Sequence, residues 1–158
     1  MFSAPDKELL FVICASVKEM EYPHVSEKNV VYPGPILTPI PPLSSEQYPE
    51  LAKFLDRKRT IVINMGSLFW YTHSDVENIA EAIVRAQHEL PEKMTFQVLW
   101  KLNGKEKYEE LLHTKFGDIL EDVHTEEWLE PPALAILQHP NVAGFVNHGG
   151  ANSVHEAA

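Results

Sequence analysis

The last fifteen residues, GFVNHGGANSVHEAA from Gly144 to Ala158, hold the densest set of residues that could do chemistry. An apolar run, Gly144-Phe145-Val146, meets His148, then Gly149-Gly150, then Asn152-Ser153 and Glu156. Strand, glycine turn and helix opening together make a place where a chain can hold an anion. A helix N-terminus leaves backbone N–H groups unpaired and carries about half a positive charge. Glycines let the backbone approach a ligand closely. The amides near Ala151, Asn152 and Ser153 could then point at phosphate oxygens, with side-chain donors added by His148, Asn152 and Ser153. A second reading needs no ligand. Ser153 and Glu156 stand three apart, the spacing of a capping box, and a glycine turn before a capped helix is ordinary. From this stretch alone both readings stay open.

Other chemistries fit less well. His139, His148 and His155 lack the His-Glu-x-x-His spacing, so no metal site is expected. His-Gly-Gly can belong to an esterase oxyanion hole, but no Gly-x-Ser-x-Gly elbow is present to supply a nucleophile. The P-loop pattern and the Gly-x-Gly-x-x-Gly dinucleotide fingerprint are both absent. The 158 residues carry a formal net charge of -10. That disfavours nucleic acid, whose binding rests on Lys and Arg neutralising phosphates. It leaves open a small phosphorylated ligand held by amides. The single cysteine, Cys14, follows the apolar Leu9-Leu10-Phe11-Val12-Ile13 and reads as a buried, inert thiol. The run Leu9 to Val17 is too short to cross a bilayer, and no basic leader with a cleavage pattern precedes it. The expectation is a cytoplasmic location for this piece, with membrane association left open.

The elements that must position these residues follow a regular rhythm. A buried strand is predicted over Leu9 to Ala15, and a charged irregular stretch over Lys18 to Lys28. Tyr32 to Pro42 holds too many prolines for a helix or central strand and reads as an extended linker. A short helix over Ser45 to Leu55, capped near Ser44 or Ser45, leads to a strand over Thr60 to Met65 that ends at Gly66-Ser67. Val76, Ile79, Ala80, Ile83 and Val84 make a helical stripe within Asp75 to His88. A strand over Thr95 to Trp100, a charged helix over Lys105 to His113 and a short strand over Ile119 to Val123 follow. A short helix over Ala133 to Gln138, a strand over Val142 to Val146 and a helix from Asn152 complete the pattern. Trp70 and Trp100 are expected in or beside the core. Alternating strands and helices imply an α/β fold, a parallel sheet covered on both faces. Ligands in such sheets sit beyond the carboxyl ends of the strands, where both Gly66-Ser67 and His148-Gly149-Gly150 fall.

Taken in order, these segments resemble the UDP-dependent glycosyltransferases that glycosylate sterols, flavonoids and other small acceptors. "VVYPGPIL" (Val30 to Leu37) is similar to the linker between the family's two domains. "TIVINMGS" (Thr60 to Ser67) is similar to the first strand and turn of its C-terminal domain, and "FQVLWKL" (Phe96 to Leu102) to the second strand. "WLEPPALAILQHPNVAGFVNHGGANSVHEAA" (Trp128 to Ala158) is similar to the first two-thirds of the nucleotide-sugar signature.

The resemblance implies a Rossmann-like parallel sheet, part of a two-domain GT-B enzyme. Residues 1–42 would be the last strand of the N-terminal domain and the Pro-rich linker. Residues 43–158 would be the C-terminal UDP-sugar-binding domain, incomplete at its end and lacking the Gly-Val-Pro and Asp-Gln close of the signature. The implied reaction is inverting transfer of a hexosyl group from a UDP-sugar to an acceptor hydroxyl. The family's catalytic histidine and its aspartate belong to the N-terminal domain, so no catalytic residue is expected here. The donor is a substrate, no cofactor is implied, and the small lipophilic acceptor would be bound by the N-terminal domain.

By the same resemblance His148, Ala151 through its amide, Asn152 and Ser153 would hold the diphosphate beside Gly150. Glu156 would take the ribose hydroxyls, and Ser67 would face the diphosphate or uridine. Ala133 stands where the family often has glutamine, and its backbone would pair with the uracil edge. Trp128 would be the aromatic on which uracil stacks, although counting back from His148 places that position on Glu130. Either the loop is two residues longer or Trp128 is a core residue. Two other outcomes compete with a glycosyltransferase: a non-catalytic UDP-sugar-binding module served by a separate acceptor subunit, and an inactive fragment.

Overall fold

The structure is a computed structural model that describes residues 11–20, 28–91 and 94–157. The chain forms two compact units, residues 1–39 and 40–158. In the first, β1 (Val12–Ile13) pairs in parallel with β2 (Val30–Val31), Val12 opposite Val30. Leu9 and Leu10 of the expected buried strand lie outside the described residues. Phe11, Val12 and Ile13 are exposed and Cys14 is only half-buried, so the expectation of burial fails. A two-stranded ribbon has no second layer of its own to cover it. Residues 32–44 carry neither helix nor strand, as the prolines dictate.

In the second unit, α1 (Pro49–Arg57) begins with proline in its first turn, where a missing N–H costs nothing. Ser44 caps the turn before it: its Oγ accepts the Gln47 N–H at 3.2 Å, and no side chain caps α1 itself. β3 (Thr60–Asn64) is a run rich in β-branched residues, suited to a strand packed on both faces. α2 (His73–Glu89) starts at a capping box, in which Thr72 Oγ1 accepts the Asp75 N–H and Asp75 Oδ2 accepts the Thr72 N–H. Its buried face is Val76, Ala80 and Ile83, part of the expected stripe. β4 (Gln97–Lys101) is buried at every position. The charged helix resolves into a 3₁₀ turn (Lys105–Tyr108) and α3 (Glu109–Phe116).

The strand expected over Ile119 to Val123 is misplaced. Gly117–Asp122 is a 3₁₀ turn, and β5 runs from Val123 to Glu126. Ile119 and Leu120 do reach the core, but from that turn. After α4 (Ala133–Leu137) come β6 (Val142–Asn147) and α5 (Ala151–Ala157).

All four strands of this unit are parallel, in the order β5-β4-β3-β6. Alternation along β3 and β4 sends side chains into two cores. Ile63, Val98 and Trp100 join Val76, Ile83, Leu112 and Phe116 under α2 and α3. Val62 and Leu99 join Phe54, Leu55, Leu129 and Ile136 under α1 and α4. Trp100 is fully buried and donates its Nε1–H to Tyr71 Oη at 3.1 Å. Trp70 is 70% exposed, contrary to the expectation that it packs at the core, because it lies in the loop leading to α2. Among the described residues no helix is long and apolar enough to cross a membrane.

Candidate functional site

The register of the sheet sets a row of polar residues along its carboxyl rim. Asn64, the last residue of β3, is opposite Lys101 of β4 on one side and Asn147 of β6 on the other. The two asparagines do the same job. Asn64 Oδ1 accepts the Gly66 N–H at 2.9 Å, and Asn147 Oδ1 accepts the Gly149 N–H at 2.8 Å. Each is an Asx turn that bends the chain sharply off its strand. The glycine that follows has φ +87 at Gly66 and +73 at Gly149, a region that favours glycine because it has no Cβ. Sequence reasoning passed over both asparagines, yet a signal was present: Asn-x-Gly stands at the end of two apolar strands.

The two turns bring His148 between two glycines. A methyl group on Gly66 would stand 3.0 Å from the His148 Cε1, and one on Gly150 would stand 2.4 Å from its Nε2. Only at glycine positions can backbone approach an imidazole so closely. The ring is therefore clamped between two stretches of main chain while its residue remains exposed to solvent. α5 begins at Ala151, and Gly150 O accepts the Val154 N–H at 3.0 Å. Ser153 thus lies inside the first turn rather than capping it, and the capping-box reading of Ser153 and Glu156 fails. The amides of Ala151, Asn152 and Ser153 are the first-turn donors that have no acceptor within the helix.

A hollow of about 710 Å³ is bounded by Met65, Gly66, Ser67, His148, Ala151 and Asn152, with Leu68, Phe69, Gly150 and Ser153 also on its wall. A second hollow, of about 320 Å³, lies on the other side of the Gly66-Ser67 turn. Its walls include Ser67, Lys101, Trp128, Glu130 and Ala133. Eight of the nine expected site residues line one hollow or the other, and Ser67 lines both. Glu156 does not. It faces α4, in a separate hollow with Leu134, Gln138 and Phe145.

The loop shared by the hollows is stitched to β4. Lys101 Nζ donates to Gly66 O at 2.9 Å, and Asn103 Nδ2 donates to Phe69 O at 2.7 Å. Tyr71 Oη donates to Lys101 O at 3.2 Å, and Tyr108 Oη donates to Tyr71 O at 2.6 Å. Burial raises the Tyr71 phenol above its ordinary pKa. Burial lowers the Lys101 pKa. Its Nζ lies 4.1 Å from the centroid of the Trp128 ring. Trp128 is 59% exposed, so it is no core residue, and the ring opens onto the smaller hollow. Ala133 opens α4, where Pro132 is the capping residue and no side chain covers the first turn.

What this arrangement can do is bounded by its groups. One hollow presents free helix amides, a fixed imidazole and small hydroxyl or amide side chains, all suited to phosphate oxygens. The other presents an indole and a helix-opening backbone, suited to a flat heterocycle.

Residues 7–158 match the family model described as "UDP-glucoronosyl and UDP-glucosyl transferase". Glycosyltransferase sdnJ of Sordaria araneosa is 34% identical over 136 residues, which are 82% of this chain and 26% of that protein. A UDP-glucosyltransferase from Polygonum tinctorium superimposes with a TM-score of 0.67 at 20% identity, over 94% of this chain and 32% of that one. Os79 from O. sativa, solved in complex with UDP, does so with a TM-score of 0.53 at 18% identity, over 68% of this chain and 22% of that one. The described sheet is the Rossmann-like α/β arrangement of part of a GT-B glycosyltransferase. The chain spans about a quarter of the length of the curated relatives it matches. It belongs to the UDP-glucuronosyl and UDP-glucosyl transferase family.

Proposed function

We propose that this chain is the donor-binding part of a UDP-glycosyltransferase that moves a hexosyl group, with inversion, from a UDP-sugar to a hydroxyl of a small lipophilic acceptor. The observation that carries the proposal is the junction of the two hollows at Gly66-Ser67, with His148 clamped beside the free first-turn amides of α5. The diphosphate takes the larger hollow: His148, the Ala151 amide, Asn152 and Ser153 supply donors, and Gly150 keeps the backbone close. The uracil takes the smaller hollow, stacked on Trp128 with its edge towards the Ala133 backbone. Ser67 sits between them. Glu156, which the family resemblance would give the ribose hydroxyls, lies in the separate hollow beside α4 and is given no role in this arrangement.

In the transfer step an acceptor oxygen bonds to the anomeric carbon as the bond to the diphosphate oxygen breaks. Negative charge then builds on the diphosphate. Donors fixed before the reaction stabilise that charge without reorganising, which is the contribution assigned to this chain. The base that removes the acceptor proton is assigned to the N-terminal domain.

Calorimetric titration of the folded 158-residue chain with UDP tests the proposal. Saturable binding, weakened about tenfold or more by His148→Ala with little change in the thermal melt, is the expected result. A folded chain that ignores UDP at about millimolar concentration, a bare −4 kcal/mol of binding, would overturn it.

A further inference from the structure

We infer that Lys101 is the positioning residue of the donor site, fixing the Trp128 indole and the Gly66-Ser67 turn relative to each other and so shaping the hollow assigned to the base. This deepens the donor-site reading and rests on it. The first observation is a charge that is poorly balanced. Lys101 is 5% exposed at the carboxyl end of β4. Its register partner Glu126 is already engaged, accepting from Lys105 Nζ at 3.2 Å and lying 2.9 Å from His124 Nε2. Among the described residues no carboxylate is paired with Lys101. Its ammonium is satisfied by one carbonyl, Gly66 O, and one ring face, Trp128.

A buried ammonium with such weak partners is a costly way to fill space, and a methionine would pack there more cheaply. What the lysine does that methionine does not is hold two loops at once. The loop after β3 and the loop after β5 meet at this hollow, whose wall holds Gly66, Ser67, Lys101 and Trp128 together. Trp128 is otherwise an exposed side chain on a loop. An ammonium on one face of an indole fixes the plane of the ring and occupies that face. With Lys101 beside it the ring is still 59% exposed, so it keeps open surface for a flat ligand.

The test compares wild type with Lys101→Met, Lys101→Arg and Trp128→Leu. Affinity for UDP is measured by calorimetry and affinity for inorganic pyrophosphate by competition. Lys101→Met should weaken UDP about tenfold and pyrophosphate about twofold or less, because the platform is lost while the α5 amides remain. Lys101→Arg, which keeps a cation over the ring, should restore most of the UDP affinity. In the Trp128→Leu background, Lys101→Met should have little further effect on UDP, as expected if the lysine acts through the ring. Should the methionine variant fail to fold, Lys101→Gln keeps a donor for Gly66 O without the charge and should show the same selective loss. Equal losses of UDP and pyrophosphate would mean that Lys101 acts as a bare charge, and this inference falls. Unchanged UDP affinity in Lys101→Met also overturns it, with the donor-site reading left standing. Wild type that binds no UDP overturns both.

Discussion

Gly150→Ala is the smallest change that should disable the phosphate hollow while leaving the fold intact. The new methyl group would lie 2.4 Å from His148 Nε2 and 2.7 Å from Cε1, contacts that cannot persist. The backbone itself raises no objection, since φ at Gly150 lies outside the left-handed region. The imidazole must move. A slide towards Gly66 brings the ring onto that glycine's backbone, since the place a Cβ would take there lies only 3.0 Å from Cε1. It must therefore swing out into solvent, where His148 is already exposed. Stability should change by less than about 1 kcal/mol, since the ring escapes instead of being crushed in a core. On the proposed reading, what is lost is a donor fixed on a diphosphate oxygen. A hydrogen bond to a charged group contributes about 1.5–3 kcal/mol, so UDP affinity should fall about ten- to a hundredfold.

Calorimetry with UDP on wild type, Gly150→Ala, His148→Ala and the double variant provides the assay, with a thermal melt on each. If the methyl acts by evicting the ring, the double variant binds no worse than either single one. Full additivity of the two losses would refute the reasoning, as would a Gly150→Ala chain that binds UDP as wild type does.

Four further outcomes follow from the same contacts. Asn147→Ala removes the acceptor of the Gly149 N–H; it should lower stability by about 1 kcal/mol and loosen UDP binding, read by melt and titration together. Gln97→Leu strips a buried donor that serves Phe54 O at 2.5 Å and Thr60 Oγ1 at 2.9 Å, at the rim of the sheet away from the site. It should cost about 2–3 kcal/mol in denaturant melts and leave UDP affinity unchanged once the chain is folded. Asp122→Ala removes the partner of Lys58 at 2.7 Å and Arg57 at 3.0 Å; the cost should be about 1 kcal/mol or less and should shrink in high salt. The Asp75 carboxyl is held below its ordinary pKa, first by the Thr72 hydroxyl and then by the Thr72 N–H. A depressed folded-state pKa stabilises above the ordinary carboxylate range and the benefit goes as pH falls through the folded-state value. The melt difference between wild type and Asp75→Ala should therefore be constant near neutrality and close in acid.

The parts of this fold that could be read from residues are those where one side chain type serves one purpose. Thr60 to Asn64 and Gln97 to Lys101 are central strands buried on both faces, and continuous apolar runs announce them. β5 is an edge strand with one neighbour, and Val123-His124-Thr125-Glu126 carries the polar residues an edge tolerates. The more apolar Ile119-Leu120 just upstream drew the strand prediction although it belongs to a 3₁₀ turn. Trp70 was misread for a related reason: size and apolarity argue for burial, but the loop holding it is anchored by Asn103 and Tyr71, and the indole is left outside. At the site, glycine, histidine and asparagine in order gave away α5 and its turn. Lys101 did not show, because a lysine at the end of a strand normally extends to water, and only the approach of two distant loops gives it another place to go.

The row Lys101, Asn64, Asn147 explains why both hollows form at this end of the sheet and share one turn. Parallel strands in register deliver their last residues side by side, so a single polar layer can govern every loop that leaves the rim. Asn64 and Asn147 each bend their own chain by holding the second N–H onward, and Lys101 reaches across to hold the neighbouring loop. The geometry of a ligand that spans both hollows is then set by inter-strand spacing, which backbone hydrogen bonds fix, and much less by the loops themselves. A site built this way should tolerate sequence change in the loop walls, at Leu68 or Glu130, far better than a change in the row. Alanine at either wall position should alter UDP affinity by less than alanine at either asparagine, and the reverse ranking would place control of the site in the loops.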